Sequence, residues 1–122
     1  MNSPKLIDVS ALSAALAKFA AERDWDQFHS PKNLVMALTG EVGELAEVFQ
    51  WLSEDASKSV AANPETATAV RDELADVTLY LVRLASVLGV DLNEAVERKL
   101  EKNAAKYPVD KALGSHRKYD RL

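Results

Sequence analysis

The sequence predicts an all-α fold built on four main helices, and three observations carry that prediction. Glycine and proline are scarce, four of each in 122 residues, so few breakers interrupt long helices. Apolar residues recur at three- and four-residue steps along two stretches, the spacing of an amphipathic helix. Leu34, Leu38, Val42, Leu45, Phe49 and Leu52 mark the first stretch; Val70, Leu74, Val77, Leu81, Leu84 and Leu88 mark the second. Ser30-Pro31 and Asn63-Pro64 each pair a capping side chain with proline at the first helical position, a strong start signal.

A first helix is expected from about residue 9 to residue 23, with Ser10 as its cap and Leu12, Leu16 and Phe19 as its buried edge. Residues 24–30, DWDQFHS, form a loop rich in aromatics for its polarity. The second helix runs from Pro31 to about Ser53, and the small, polar residues 54–63 connect it to the third. Asn63-Pro64 opens that third helix, and Gly89 suits the left-handed position beyond its end. Asp91 caps a fourth helix, with Glu94 three residues later in a capping-box pattern. Pro108 stops it, and residues 109–122 form a polar tail with Gly114 and a basic cluster. The third helix is apolar around much of its circumference, Thr78, Leu79 and Val82 lying off its main stripe. A single copy has little to bury such a surface against, so a homo-oligomer is expected.

The two long stretches each carry two acids three residues apart: Glu41 and Glu44, then Glu73 and Asp76. An α-helix turns about 100° per residue, which sets Glu41 about 60° and Glu44 about 120° to one side of the apolar stripe. Glu73 and Asp76 take nearly the same offsets in the same sense. An antiparallel hairpin, stripe against stripe, therefore turns all four toward one side. Glu41 and Asp76 are equidistant in sequence from a turn between Lys58 and Ser59, as are Glu44 and Glu73. Equal helical rise puts each pair level. Four converging carboxylates repel unless a cation sits among them or their pKa values rise. Acids beside an apolar stripe are usually solvated, so surface and metal site both stand as readings of the spacing. Oxygen-only ligands suit a hard cation, Mg²⁺ or Mn²⁺. A redox di-iron bundle would want Glu-x-x-His on its helices, and His29 and His116 lie off them.

Length and charge narrow the classes further. The chain has the size of one domain spanning 1–122. It has no cysteine, which removes disulfides, thiolate metal sites and a Cys nucleophile. The start MNSPKLIDVS lacks the basic and apolar pattern of a signal peptide, and no run approaches the length of a membrane span. A cytoplasmic protein without a membrane partner is expected. The net charge of −4 argues against binding a nucleic-acid polymer, although a metal could still mediate contact with a small phosphorylated molecule.

Two further groups have chemistry to offer. Lys99, Lys102, Asn103 and Lys106, with Tyr107 beside them, share a face of the fourth helix. Spacing alone suits a solvated surface better than a phosphate clamp. Trp25, Phe28, His29, Trp51 and Tyr80 are aromatic candidates for a base pocket, and the Asn33 amide could read a base edge. Core packing or an oligomer interface is the competing reading, and the preferred one for Phe28.

These residues sit in runs with a family likeness. ERDWDQFHSPKNLVMALTGEVGELAEVFQW, DELADVTLYLVRLA and KLEKNAAKYPV resemble the all-α nucleoside triphosphate pyrophosphohydrolases of the MazG-like group, and within them the dCTP pyrophosphatase branch. The likeness runs in order over about residues 10 to 120, including the tail GSHRKY, but the connection SEDASKSVAANPETATAV adds nothing to it. It implies a four-helix protomer of MazG-like type in a dimer or dimer-of-dimers tetramer, the tetramer preferred, with active sites built partly from neighbouring subunits. It implies Mg²⁺-dependent hydrolysis of dCTP, or a related or modified dNTP, to dNMP and pyrophosphate, a cleansing of the nucleotide pool. Metal ligands then fall on Glu41, Glu44, Glu73 and Asp76, phosphate contacts on Lys99, Asn103, Lys106 and Tyr107, and base contacts on Trp25, His29, Asn33, Trp51 and Tyr80. Glu41, nearest the stripe, is the first choice to activate the attacking water. The alternatives are dUTP or another noncanonical nucleotide as substrate, and a non-catalytic helical module that binds a partner protein.

Overall fold

The computed structural model describes residues 4–122. Residues 1–3, which open the stretch expected to lack a signal peptide, lie outside the described residues. Among the described residues the protein is helical throughout, with no strand. Two compact units form. One is Val9–Val90; the other joins Asp91–Leu122 to the described residues before Val9, 4–8.

The Val9–Val90 unit holds α1 (Ser10–Glu22), a 3₁₀ turn (Asp26–Phe28), α2 (Pro31–Phe49), the single-turn α3 (Glu54–Ser57) and α4 (Ala67–Leu88). α4 is its spine, since both α2 and α1 pack on it. Ser30 caps α2 as expected, its hydroxyl accepting the Asn33 backbone N–H at 3.2 Å ahead of Pro31. Gly89 ends α4 at φ 68°, in the left-handed region, where a residue without Cβ carries no steric cost.

Three boundaries differ from the sequence expectation. Val9, not Ser10, holds the cap position of α1, and its apolar side chain makes no capping bond. α2 ends at Phe49, short of Ser53, because Ser53 turns away to cap α3, accepting the Ala56 N–H at 3.1 Å. α4 begins at Ala67, three residues beyond Pro64. Asn63 closes a tight turn instead: its side-chain oxygen accepts the Glu65 N–H at 3.0 Å, and the Thr66 hydroxyl donates to the Val60 carbonyl at 2.6 Å.

The expected apolar stripe also divides. Leu34, Val70, Val82 and Ala85 are buried, whereas Leu74, Leu81 and Leu88 are 51%, 43% and 52% exposed and Val42 is exposed too. α4 meets two neighbours, so its inward surface is broad and takes in Val82, which lies off the heptad-like line. Leu74, Leu81 and Leu88 are left as an outward apolar face, while Leu84 is half-buried.

The second unit contains α5 (Leu92–Lys106), α6 (Val109–Ala112) and a 3₁₀ turn (Tyr119–Arg121). The expected Asp91 cap forms, with Oδ1 accepting the Glu94 N–H at 3.0 Å. Asn93 Oδ1 accepts the Leu6 and Ile7 N–H groups at 2.8 and 3.1 Å, which fastens the N-terminal segment to this unit. The tail has structure of its own: Tyr119 meets Tyr107 edge-on at 6.2 Å and lies under the Lys106 ammonium at 4.8 Å.

Candidate active site

Glu41, from the middle of α2, meets Glu73 and Asp76 of α4. One carboxylate oxygen from each of the three falls within 4.8 Å of the others. Oxygens around an octahedral Mg²⁺, with bonds near 2.0–2.1 Å, are separated by about 3 to 4 Å, so the three are spaced to hold a divalent cation. The Oε2 atoms of Glu41 and Glu73 are buried without a hydrogen-bond partner. Orphaned buried oxygens are costly in a folded protein, and a cation is the partner their chemistry fits.

The electrostatics agree. Burial, first, and then hydrogen bonding with the Glu44 and Glu73 carboxyls and repulsion from Glu44 and Asp76 push Glu41 up to about 7. Glu73 is raised as well, by burial most of all, while its hydrogen bond with Glu41 acts the other way. Glu44 is exposed and lies outside the three-acid cluster, although it interacts with both Glu41 and Glu73. α2 and α4 therefore turn all four acids to one side, three of them close enough to share an ion.

Asp76 also lines a cavity of about 160 Å³ with Leu16, Phe19, Trp25, His29, Leu79, Tyr80 and Arg83. Drug-sized ligands take about 300–1,000 Å³, so this space suits one heteroaromatic ring. Trp25 meets Phe19 edge-on at 5.7 Å and His29 at 6.3 Å. The loop that carries them is tied at several points. Asp24 takes a positive φ of 55°, and its carbonyl and carboxylate both accept the Gln27 amide at 3.0 Å. The Asn33 amide donates to the Phe28 carbonyl at 3.0 Å. Arg83 of α4 donates from Nε to His29 Nδ1 at 3.1 Å and from Nη2 to Asp26 at 2.7 Å. Burial, followed by the Arg83 charge, lowers the His29 pKa, with Asp26 opposing.

Among the expected base contacts, Trp25, His29 and Tyr80 share the cavity. Asn33 does not line it, because its amide is engaged in holding the loop. Trp51 does not line it either: it lies beyond the end of α2 at Phe49 and is 89% exposed. Lys99, Lys102, Asn103, Lys106 and Tyr107 belong to the Asp91–Leu122 unit. Arg83 is absent from the expected set. It is the only charged residue between Asp76 and Asp91, and a lone charge in an apolar helical run must find a partner when buried, so a signal was there.

Residues 37–122 match the model of the MazG-like family. The chain belongs to the MazG-like family. All four acids, and α5 with its lysines, fall inside the matched residues. The aromatic loop precedes them but is spanned by longer alignments. Mouse dCTP pyrophosphatase 1 is 50% identical over 98% of this chain and 68% of its own length. The human protein of the same name is 48% identical over the same shares. Among solved structures, a pyrophosphatase from Archaeoglobus fulgidus is similar at a TM-score of 0.77 and 38% identity, covering 88% of this chain and 99% of that one.

Proposed function

We propose that the protein is a divalent-metal-dependent nucleoside triphosphate pyrophosphohydrolase that splits dCTP, or a related dNTP, into dNMP and pyrophosphate. The observation that carries this reading is that Asp76 belongs both to the acidic cluster and to the ring-sized cavity. A base in the cavity would leave its phosphates near the acids. The names of the MazG-like relatives point to the same chemistry. Mg²⁺ is the ion we assign, with Mn²⁺ as its substitute, because the donors are all carboxylate oxygens.

Such an ion would supply positive charge against the phosphate oxygens and the charge that develops on them. Glu41, Glu73 and Asp76 would hold it, with Glu44 beside them. Glu41 is the assigned base. Its carboxylate accepts a proton from water as the water oxygen attacks the α-phosphorus. The bond from that phosphorus to the bridging oxygen breaks, and pyrophosphate leaves. Trp25, His29 and Tyr80 would hold the base. Lys99, Asn103, Lys106 and Tyr107 are the assigned phosphate contacts; their support is cationic and amide chemistry on one face of α5. We further assign Trp51, and the outward face with Leu74, Leu81 and Leu88, to contact with other copies of the chain in a dimer or tetramer. Exposed apolar surface of that kind marks association.

A panel of dNTPs, including dUTP and modified cytosine nucleotides, with Mg²⁺ and pyrophosphate detection, tests the reading. Turnover with dCTP strongest is the expected result. Turnover favouring another base moves the substrate and keeps the reaction. No pyrophosphate from any nucleotide, with stability unchanged by EDTA, would leave a non-catalytic helical module.

A further inference from the structure

We propose that Arg83 is a positioning residue that fixes His29 as its neutral Nε2–H tautomer, giving the cavity a hydrogen-bond donor for an acceptor edge of the base. The nucleobase part of this rests on the proposed function; the tautomer part does not.

A guanidinium has five N–H groups, no acceptor, and keeps its proton in proteins. Arg83 Nε lies 3.1 Å from His29 Nδ1 in donating geometry, so Nδ1 must offer a lone pair. The one ring proton of a neutral histidine then sits on Nε2. A protonated ring would set N–H against N–H and cation against cation. Arg83 itself cannot swing away cheaply. Its side chain is 11% exposed and held by Asp26 at 2.7 Å, an ion pair that satisfies its charge at the cavity wall.

The other groups at the cavity do not undo this. Asp76 and Tyr80 line it along with Arg83, but Nδ1 is already taken. No hydrogen bond among the described residues uses Nε2, which leaves it for whatever fills the cavity. A keto oxygen or an unprotonated ring nitrogen satisfies an N–H donor; an exocyclic amine, itself a donor, does not. The Asp26–Arg83–His29 chain thus sets which edge of a base can face His29. Burial and the Arg83 charge both disfavour a protonated ring, in keeping with the geometry.

The test is long-range proton–nitrogen NMR of the full chain labelled on histidine. There are two histidines, and His116→Gln assigns the signals. The expected spectrum of the unmutated protein at neutral pH shows His29 neutral with its proton on Nε2. A proton on Nδ1, or a protonated ring, overturns the proposal with no variant needed. Arg83→Met should give a mixture of tautomers and raise KM for the preferred dNTP by up to about tenfold, the worth of one neutral hydrogen bond. Its kcat should stay within about twofold, since the lost contact lies away from phosphorus. Arg83→Lys, which keeps the charge but lacks the planar fork, should not restore the single tautomer. An unchanged tautomer and KM in Arg83→Met would also overturn it. Failure of the dNTP panel would remove the nucleobase while leaving the tautomer result standing.

Discussion

Glu41 and Glu73 are placed by two long helices, whereas Trp25 and His29 are placed by a seven-residue loop. The difference shows in what holds each group. Two of the acids' oxygens are buried and have no hydrogen-bond partner among the described residues; the packing of α2 on α4 brings them together. The loop residues are held by individual bonds, from Gln27 to Asp24, from Asn33 to Phe28 and from Arg83 to Asp26 and His29. One half of the site stores repulsion that a cation can relieve. The other is tied by hydrogen bonds of its own and leaves His29 Nε2 for a ligand.

The largest expected effect breaks the acidic half. Glu41→Gln or Glu73→Gln should lower kcat by at least about 100-fold, the scale on which general bases and transition-state charge stabilisers act, as read by pyrophosphate release. Full turnover in Glu41→Gln would end its assignment as the base. Removal of divalent ions with EDTA should abolish turnover to a similar extent, and Mg²⁺ should restore it.

Next comes the pH dependence of the metal-free protein, which separates the halves by sign. Glu41 titrates near 7 in the folded chain, against an ordinary 4.5. The folded state therefore binds more protons than the unfolded state between these values, and stability falls as pH rises through that window. With EDTA present, Tm should drop from pH 4.5 to 7 and flatten above. Glu41→Gln should flatten the curve and make the metal-free protein the more stable of the two at pH 8, by a few degrees. Mg²⁺ should raise Tm most at high pH, where the acids are ionised. A Tm that rose through this window without metal would contradict the stored repulsion.

Smaller effects sharpen the loop half. Trp25→Ala should raise KM about tenfold, since loss of base stacking costs about 1–3 kcal/mol, with kcat changed much less. Asn33→Ala, which frees the Phe28 carbonyl, should cost about 1 kcal/mol of stability by denaturant unfolding and shift KM only modestly. On the outer face, Leu74→Lys with Leu81→Lys should lower the mass measured by light scattering if those leucines join copies of the chain.

Much of this was legible before any coordinates. The matched placement of Glu41, Glu44, Glu73 and Asp76 could be worked out because an α-helix converts residue number into angle and height at a fixed rate. The Ser30 and Asp91 caps and the Gly89 stop were legible for a similar reason, each being local chemistry over a few residues. Asn63-Pro64 misled because the same residues also build a turn, and the choice depended on Thr66 reaching Val60. The role of Arg83 is not legible in the same way, because its partners lie 54 and 57 residues away in sequence and no local rule names them.

Periodicity and residue type suffice for the four main helices, though not all their ends, for the side to which the acids turn and for the ring-bearing loop. Packing settles the rest: Glu44 stands outside the closest group, Val82 rather than Leu81 is covered, and Arg83 grips His29. Such outcomes depend on which neighbours pack against α4, and burial and pairing are properties of that packing.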